Sequence, residues 1–275
     1  MKVVICLCLI AMTVAIKNYT CPNNTKIEGF PRKFTWIGYD WTLLTFQIFS
    51  NECINKRDVI VTTYEVGDFE AFIMTSIKNI SCLPIEIYKK FPKLLIYDAN
   101  NCAVEKVTHE NFKNLIKLKD LKLNRNYISS IDNDSFKDLE NLRELFLNDN
   151  QIQEIDHQIF KPLKNLRHLQ LDNNKISFIE KKAFKHLLKL EHILIGRNFL
   201  KTLNDEHFKS NKKLITIWLE NNDILVLNST MFDHLANLKY IDLKYNVCID
   251  DYYIEGDFVK MRKLIENDCK HFEKY

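Results

Sequence analysis

Residues 118 to 237 write one pattern five times, with a period of 24 residues and no insertion. The units begin at Leu118, Leu142, Leu166, Leu190 and Leu214, and each follows L-x-x-L/I-x-L/I-x-x-N-x-I/L-x-x-I/L-x-x-x-x-F. A unit this short cannot close a core of its own and must stack on its neighbours. The chain is thereby constrained to a solenoid.

Within each unit, positions 3 to 7 alternate with period two, so positions 4 and 6 point inward and 3, 5 and 7 point out of a short parallel strand. Position 9 then has to turn the chain, and it is Asn126, Asn150, Asn174, Asn198 and Asn222, with Asn246 in a partial unit beyond. An inward amide both donates to and accepts from loop backbone that has left the sheet. Losing one strands those groups, at about 1 to 3 kcal/mol each. Positions 11, 14, 19 and 22 complete the interior, with Phe at position 19 throughout (Phe136, Phe160, Phe184, Phe208, Phe232). Position 22 of the fourth unit is Asn211, a polar residue where apolar ones are expected and so an expected weak point.

These residues resemble the leucine-rich repeat of the typical 24-residue extracellular subclass. The resemblance implies an α/β solenoid, a curved horseshoe with a parallel concave sheet. Residues 70 to 117 read as two degenerate units, the first through Ile73, Ile80, Leu83, Tyr88 and Phe91, the second from Leu94 with Cys102 at position 9. The segment Leu83-Pro84 to Phe91-Pro92-Lys93-Leu94, followed by Asn101-Cys102, is similar to secreted insect leucine-rich-repeat proteins.

The ends read as caps. Residues 16 to 69 are not repeats; Phe34 to Phe49 and Val59 to Tyr64 are rich in aromatic and β-branched residues, which predicts short strands over the open end. After the partial unit 238 to 247, Phe258, Met261, Leu264 and Ile265 fall at helical spacing, predicting a short helix over the last coil within a cap of residues 248 to 275. No heptad array follows, so a coiled-coil dimer is not expected; monomer and homodimer both stay open.

Residues 1 to 15 carry Lys2, an apolar run and Thr13-Val14-Ala15, the pattern of a secretory signal peptide. No other stretch approaches the roughly 20 apolar residues of a membrane span, and the polar C-terminus lacks a lipid-anchor tail. A secreted protein is the expectation. Removing Lys2 leaves 38 basic against 36 acidic residues, a balance that gives no electrostatic case for nucleic acid. Six cysteines then remain for an oxidising compartment. Cys248 with Cys269 is the pairing expected first, then Cys21 with Cys53, then Cys82 with Cys102, although Cys102 also suits a buried thiol at position 9. None has metal-ligand spacing.

Glycosylation sequons begin at Asn18, Asn23, Asn79, Asn133 and Asn228, and the last three fall beyond the strand positions of their units. Chance and the need to keep a working face clear explain this equally well. The outward columns are the informative ones. Position 5 reads Asp98, Lys122, Phe146, Gln170, Leu194, Trp218, Asp242 and position 3 reads Ile96, Asp120, Glu144, His168, His192, Thr216, Tyr240. With strands about 4.8 Å apart, Phe146, Leu194, Trp218 and Tyr240 are expected to gather around the two histidines.

An exposed apolar cluster rimmed by Glu144, Arg167, Gln170, Arg197 and Glu220 suits a protein-binding hot spot. The alternative is that bulky neighbours only shield the sheet. The paired histidines lack a third metal ligand, so no metal or other cofactor is expected. A second ladder, Lys113, Lys137, Lys161, Lys185 and Lys209 at position 20, suits either a solvated flank or a polyanion. No phosphate loop, H-E-x-x-H or converging carboxylates point to catalysis.

Overall fold

The computed structural model describes residues 83–269 apart from Lys90 and Gly256, together with the strands Thr20–Cys21, Thr25–Trp36, Tyr39–Phe49, Val59–Val66 and Phe69–Ile73. The signal segment, Cys53, Cys82 and the sequons at Asn18, Asn23 and Asn79 lie outside the described residues.

The molecule is the expected solenoid. Strands Leu94–Asp98, Asp120–Lys122, Glu144–Phe146, His168–Gln170, His192–Leu194, Thr216–Trp218 and Tyr240–Asp242 pair in parallel, in chain order. From Asp120 onward the parallel register advances by one repeat per strand, as in His168 opposite His192. Across the coil from this sheet, two-residue strands pair in twos, as Glu154–Ile155 does with Phe178–Ile179. Positions 4, 6, 11 and 19 are almost wholly buried, and Phe160, Phe184 and Phe208 stack at 6.1 and 5.8 Å between ring centroids. The period thus translates into a continuous apolar column, the main stabilising term of such a stack.

Each coil leaves the sheet through a left-handed residue at position 8: Arg125, Asp149, Asn173, Arg197, Asn221 and Tyr245 all have φ between 53° and 57°. The position 9 asparagine follows immediately. Its Oδ1 accepts the position 11 amide N–H of the preceding coil (Ile128 to Asn150, 3.1 Å; Ile152 to Asn174, 3.1 Å), and its Nδ2 donates to position 6 carbonyls of its own coil and the one before. Asn126 accepts from two amides, those of Cys102 and Val104.

Two sequence expectations need correction. In the first degenerate unit Phe72, not Ile73, is the inward residue. A bulge between Glu70 and Ala71 shifts the register so that Phe72 faces Tyr97, and Phe72 is 2% exposed. The N-terminal strands are not short. Thr25–Trp36 and Tyr39–Phe49 form a long hairpin that continues the concave sheet edge to edge through Val59–Val66 and Phe69–Ile73. Pro31 lies within the first of these, on a strand whose outer side is met, among the described residues, only by Thr20–Cys21, where a missing N–H costs little. Asn211, at the expected weak point, fills the interior with its side chain but leaves its Oδ1 buried without a partner. It is fully buried and its Nδ2 donates to the carbonyls of Phe184 and Leu187, both at 2.9 Å.

At the other end the helix Phe258–Asp268 buries Met261 and Ile265, and a Cys248–Cys269 disulfide ties it to the last coil. A strand absent from the sequence reading, Tyr252–Ile254, pairs antiparallel with Tyr240–Asp242 and closes the sheet.

Candidate functional site

The outward columns of the concave sheet divide into two groups. Phe146, His168 and His192 form one, with ring centroids 5.5 and 5.8 Å apart along successive strands. Trp218, Tyr240 and Tyr252 form the other, at 5.1 and 6.0 Å. Leu194, in register between Gln170 and Trp218, links them. The cluster expected around the histidines is thus two clusters joined by an aliphatic bridge.

Trp218 is 37% exposed and Tyr252 46%, and Ile254 on the same strand is 51%. Sequence reasoning missed Tyr252. The alternation Tyr252-Tyr253-Ile254 after two aspartates was the available signal, since Tyr253 is buried while its neighbours are exposed. Lys244 Nζ stands 4.2 Å over the Tyr252 ring, a cation–π contact at the rim. Asp242 is nearly buried, accepting from the Tyr240 hydroxyl at 2.8 Å and from the Lys244 amide at 3.0 Å. Burial and that carboxylate together push the Tyr240 phenol well above its ordinary range, so it remains a hydroxyl.

His168 lies within 3.3 Å of Gln170 Nε2, and His192 Nδ1 within 2.8 Å of Thr216 Oγ1. Burial, with a smaller push from His192, lowers the His168 pKa against the opposing pull of Glu144. Glu220 folds over Gly196, where a Cβ would meet its carboxylate at 2.4 Å, and burial raises its pKa, as does nearby Asp242. Arg197 is exposed beside it, and Arg167 reaches Glu191 at 3.5 Å.

The lysine ladder lies elsewhere. Lys137, Lys161, Lys185 and Lys209 are exposed and Lys113 half-buried; Lys113 and Lys209 are tied to Glu110 and Glu206 at 2.9 and 2.5 Å. Among the described residues one set of side chains has metal-ligand proximity, Asp156, His157 and Glu180, all half-exposed. There Glu180 Oε2 already accepts from the backbone and ring nitrogens of His157, which accounts for the arrangement as a loop brace. Cys102 is fully buried with its amide on Asn126 and its sulfur 3.3 Å from the Asn100 carbonyl. Asn133 is exposed; Asn228 is half-buried and donates to Asp205. No described helix is long and apolar enough to cross a membrane.

The family described as Leucine rich repeat matches residues 98–152, 140–198 and 188–247. No curated protein matches the chain in sequence. Among solved structures the chain is similar to one titled as a TLR13–ssRNA13 complex, at 28% identity and a TM-score of 0.57, over 60% of this chain and 24% of that one. It is also similar to the APL1 leucine-rich repeat domain, at 18% identity and a TM-score of 0.55, over 64% of this chain and 47% of that one. The second likeness speaks for the fold alone. The chain spans less than half the length of either protein.

Proposed function

The chain belongs to the leucine-rich repeat family, and from that starting point we propose that it is a secreted recognition module whose concave sheet binds another extracellular protein. It acts by binding and not by catalysis, in innate immunity, development or matrix adhesion. The observation that carries this reading is the Trp218–Tyr240–Tyr252 cluster. Three large rings stand on an open sheet face, where they add nothing to the solenoid interior, and charges surround them. Aromatic anchors within a polar rim are what a binding hot spot needs. The RNA of the TLR13 complex belongs to that protein. Here Asp120, Glu144 and Glu220 along the face argue against a phosphate backbone lying on it.

The test is recovery of partners from extracellular fluid by the wild-type chain and by Trp218→Ala side by side. Loss of a specific partner with Trp218→Ala, at unchanged melting temperature, supports the concave face. Equal recovery of the same partners by both would overturn it.

A further inference from the structure

Five cations line a groove of about 310 Å³ on the flank where each coil enters its concave strand. Lys119, Arg143 and Arg167 occupy position 2 of three successive coils, and Lys117 and Lys189 occupy position 24 at either end of the groove. Between those two, position 24 is Asn141 and Asn165. Their Nδ2 groups donate to the carbonyls of Ile116 and Glu140, both at 2.8 Å, which fixes the groove wall. The position 2 backbone is equally fixed: the Arg143 amide donates to Lys119 O at 2.7 Å and the Arg167 amide to Arg143 O at 2.8 Å.

No carboxylate lines the groove. Glu191, at position 2 of the next coil, ends the run and pairs with Arg167; Asp120 and Glu144 stand one residue on, in the concave column. Among the described residues no carboxylate reaches Lys117, Lys119, Arg143 or Lys189 at ion-pair distance, and Lys189 donates to Asn165 Oδ1 instead. Like charges placed on coils about 4.8 Å apart gain nothing for the fold and raise a local positive potential. On the position 20 flank, by contrast, Glu110 and Glu206 neutralise two of the five lysines.

We propose that this groove binds a sulfated polysaccharide, with sulfate groups seated between Lys119, Arg143 and Arg167. Guanidinium forks take tetrahedral oxyanions bidentately, and successive coils offer such a fork or an ammonium at each step. The absence of any aromatic side chain from the lining separates this ligand from single-stranded nucleic acid, whose bases need rings to stack on. The choice of a sulfated glycan rests on the extracellular reading above, but the groove is distinct from the aromatic concave cluster.

Heparin is the probe, titrated against the full chain near physiological salt. Lys119→Ser with Arg143→Ser is expected to weaken binding at least about tenfold, and to flatten its salt dependence. Lys137→Ser, Lys161→Ser and Lys185→Ser together are expected to change it less than about twofold, and Trp218→Ala not at all. Melting curves confirm that each variant is folded, and Arg167→Lys provides a milder groove variant. The proposal is overturned if heparin is not bound, if the flank variant loses as much as the groove variant, or if a single-stranded RNA binds more tightly than heparin. Because Trp218→Ala leaves the groove intact, failure here and failure of the concave reading are separate results.

Discussion

Asn211 Nδ2 donates to the carbonyl oxygen of Leu187 at 2.9 Å, and the two residues occupy the same position in successive coils. The bond gives the Leu187 carbonyl a second donor, since it already accepts the Leu190 amide at 3.1 Å. The Phe184 carbonyl likewise already accepts from Leu187. Asn211 Oδ1, however, is buried without a partner.

Replacing Asn211 with Leu therefore strands no carbonyl and removes an unsatisfied oxygen. Asn211→Leu is expected to be neutral to stabilising, by up to about 2 kcal/mol, whereas Asn211→Ala, which leaves a void, is expected to destabilise. Urea unfolding of both variants decides it; a large loss with Leu would show that the coil needs the polar contact.

Asn174 is the opposite case. Its Oδ1 is the acceptor for the buried Ile152 amide and its Nδ2 serves the carbonyls of Leu147 and Leu171. Asn174→Ala leaves the buried Ile152 amide without its acceptor, while the Leu147 and Leu171 carbonyls keep Asn150 and Asn198 as donors, and a loss of about 1 to 3 kcal/mol is expected in the same unfolding measurement. A loss under about 0.5 kcal/mol would mean that water replaces the ladder.

Tyr245 holds φ at 57° with its side chain 64% exposed. Side chains other than Gly, Asn and Asp are disfavoured there, and the same position is Asn173 and Asn221 in other coils. Tyr245→Asn is expected to raise stability by about 0.5 to 1 kcal/mol. A fall would show that the exposed ring has a packing role that outweighs backbone strain.

His168 has its pKa lowered in the folded state, first by burial and then by His192, with Glu144 opposing. A histidine depressed below its unfolded value is neutral in both states at neutral pH. As pH falls through the unfolded value near 6.5, the unfolded chain takes up the proton more readily, and stability drops. Melting temperature is therefore expected to fall between about pH 7 and 5.5, with a smaller fall in His168→Gln. Equal slopes for the two proteins would remove His168 as the cause.

Much of the interior was legible because burial follows the repeat. Leu169, Leu171, Ile176, Ile179 and Phe184 are inward for the same reason that their counterparts 24 residues away are. Tyr252 was not legible as a neighbour of Tyr240, because the contact depends on the chain reversing after Cys248 and pairing antiparallel, which no repeat position encodes. The inward role of Phe72 was hidden by a bulge, and the Thr25–Trp36 strand by a proline that an edge position tolerates. The basic groove was half visible. Its lysines at position 24 could be read off, but its arginines sit at position 2, and the structure shows both rows lining one hollow.

The sequence by itself determined the solenoid, its coil length and the identity of its buried column, because a strict 24-residue period leaves one way to stack apolar faces and turn amides inward. Tertiary structure alone decided which outward residues meet. Trp218 meets Tyr240 across to the other outward column of the next strand, and the antiparallel strand Tyr252–Ile254 completes the Trp218–Tyr240–Tyr252 cluster.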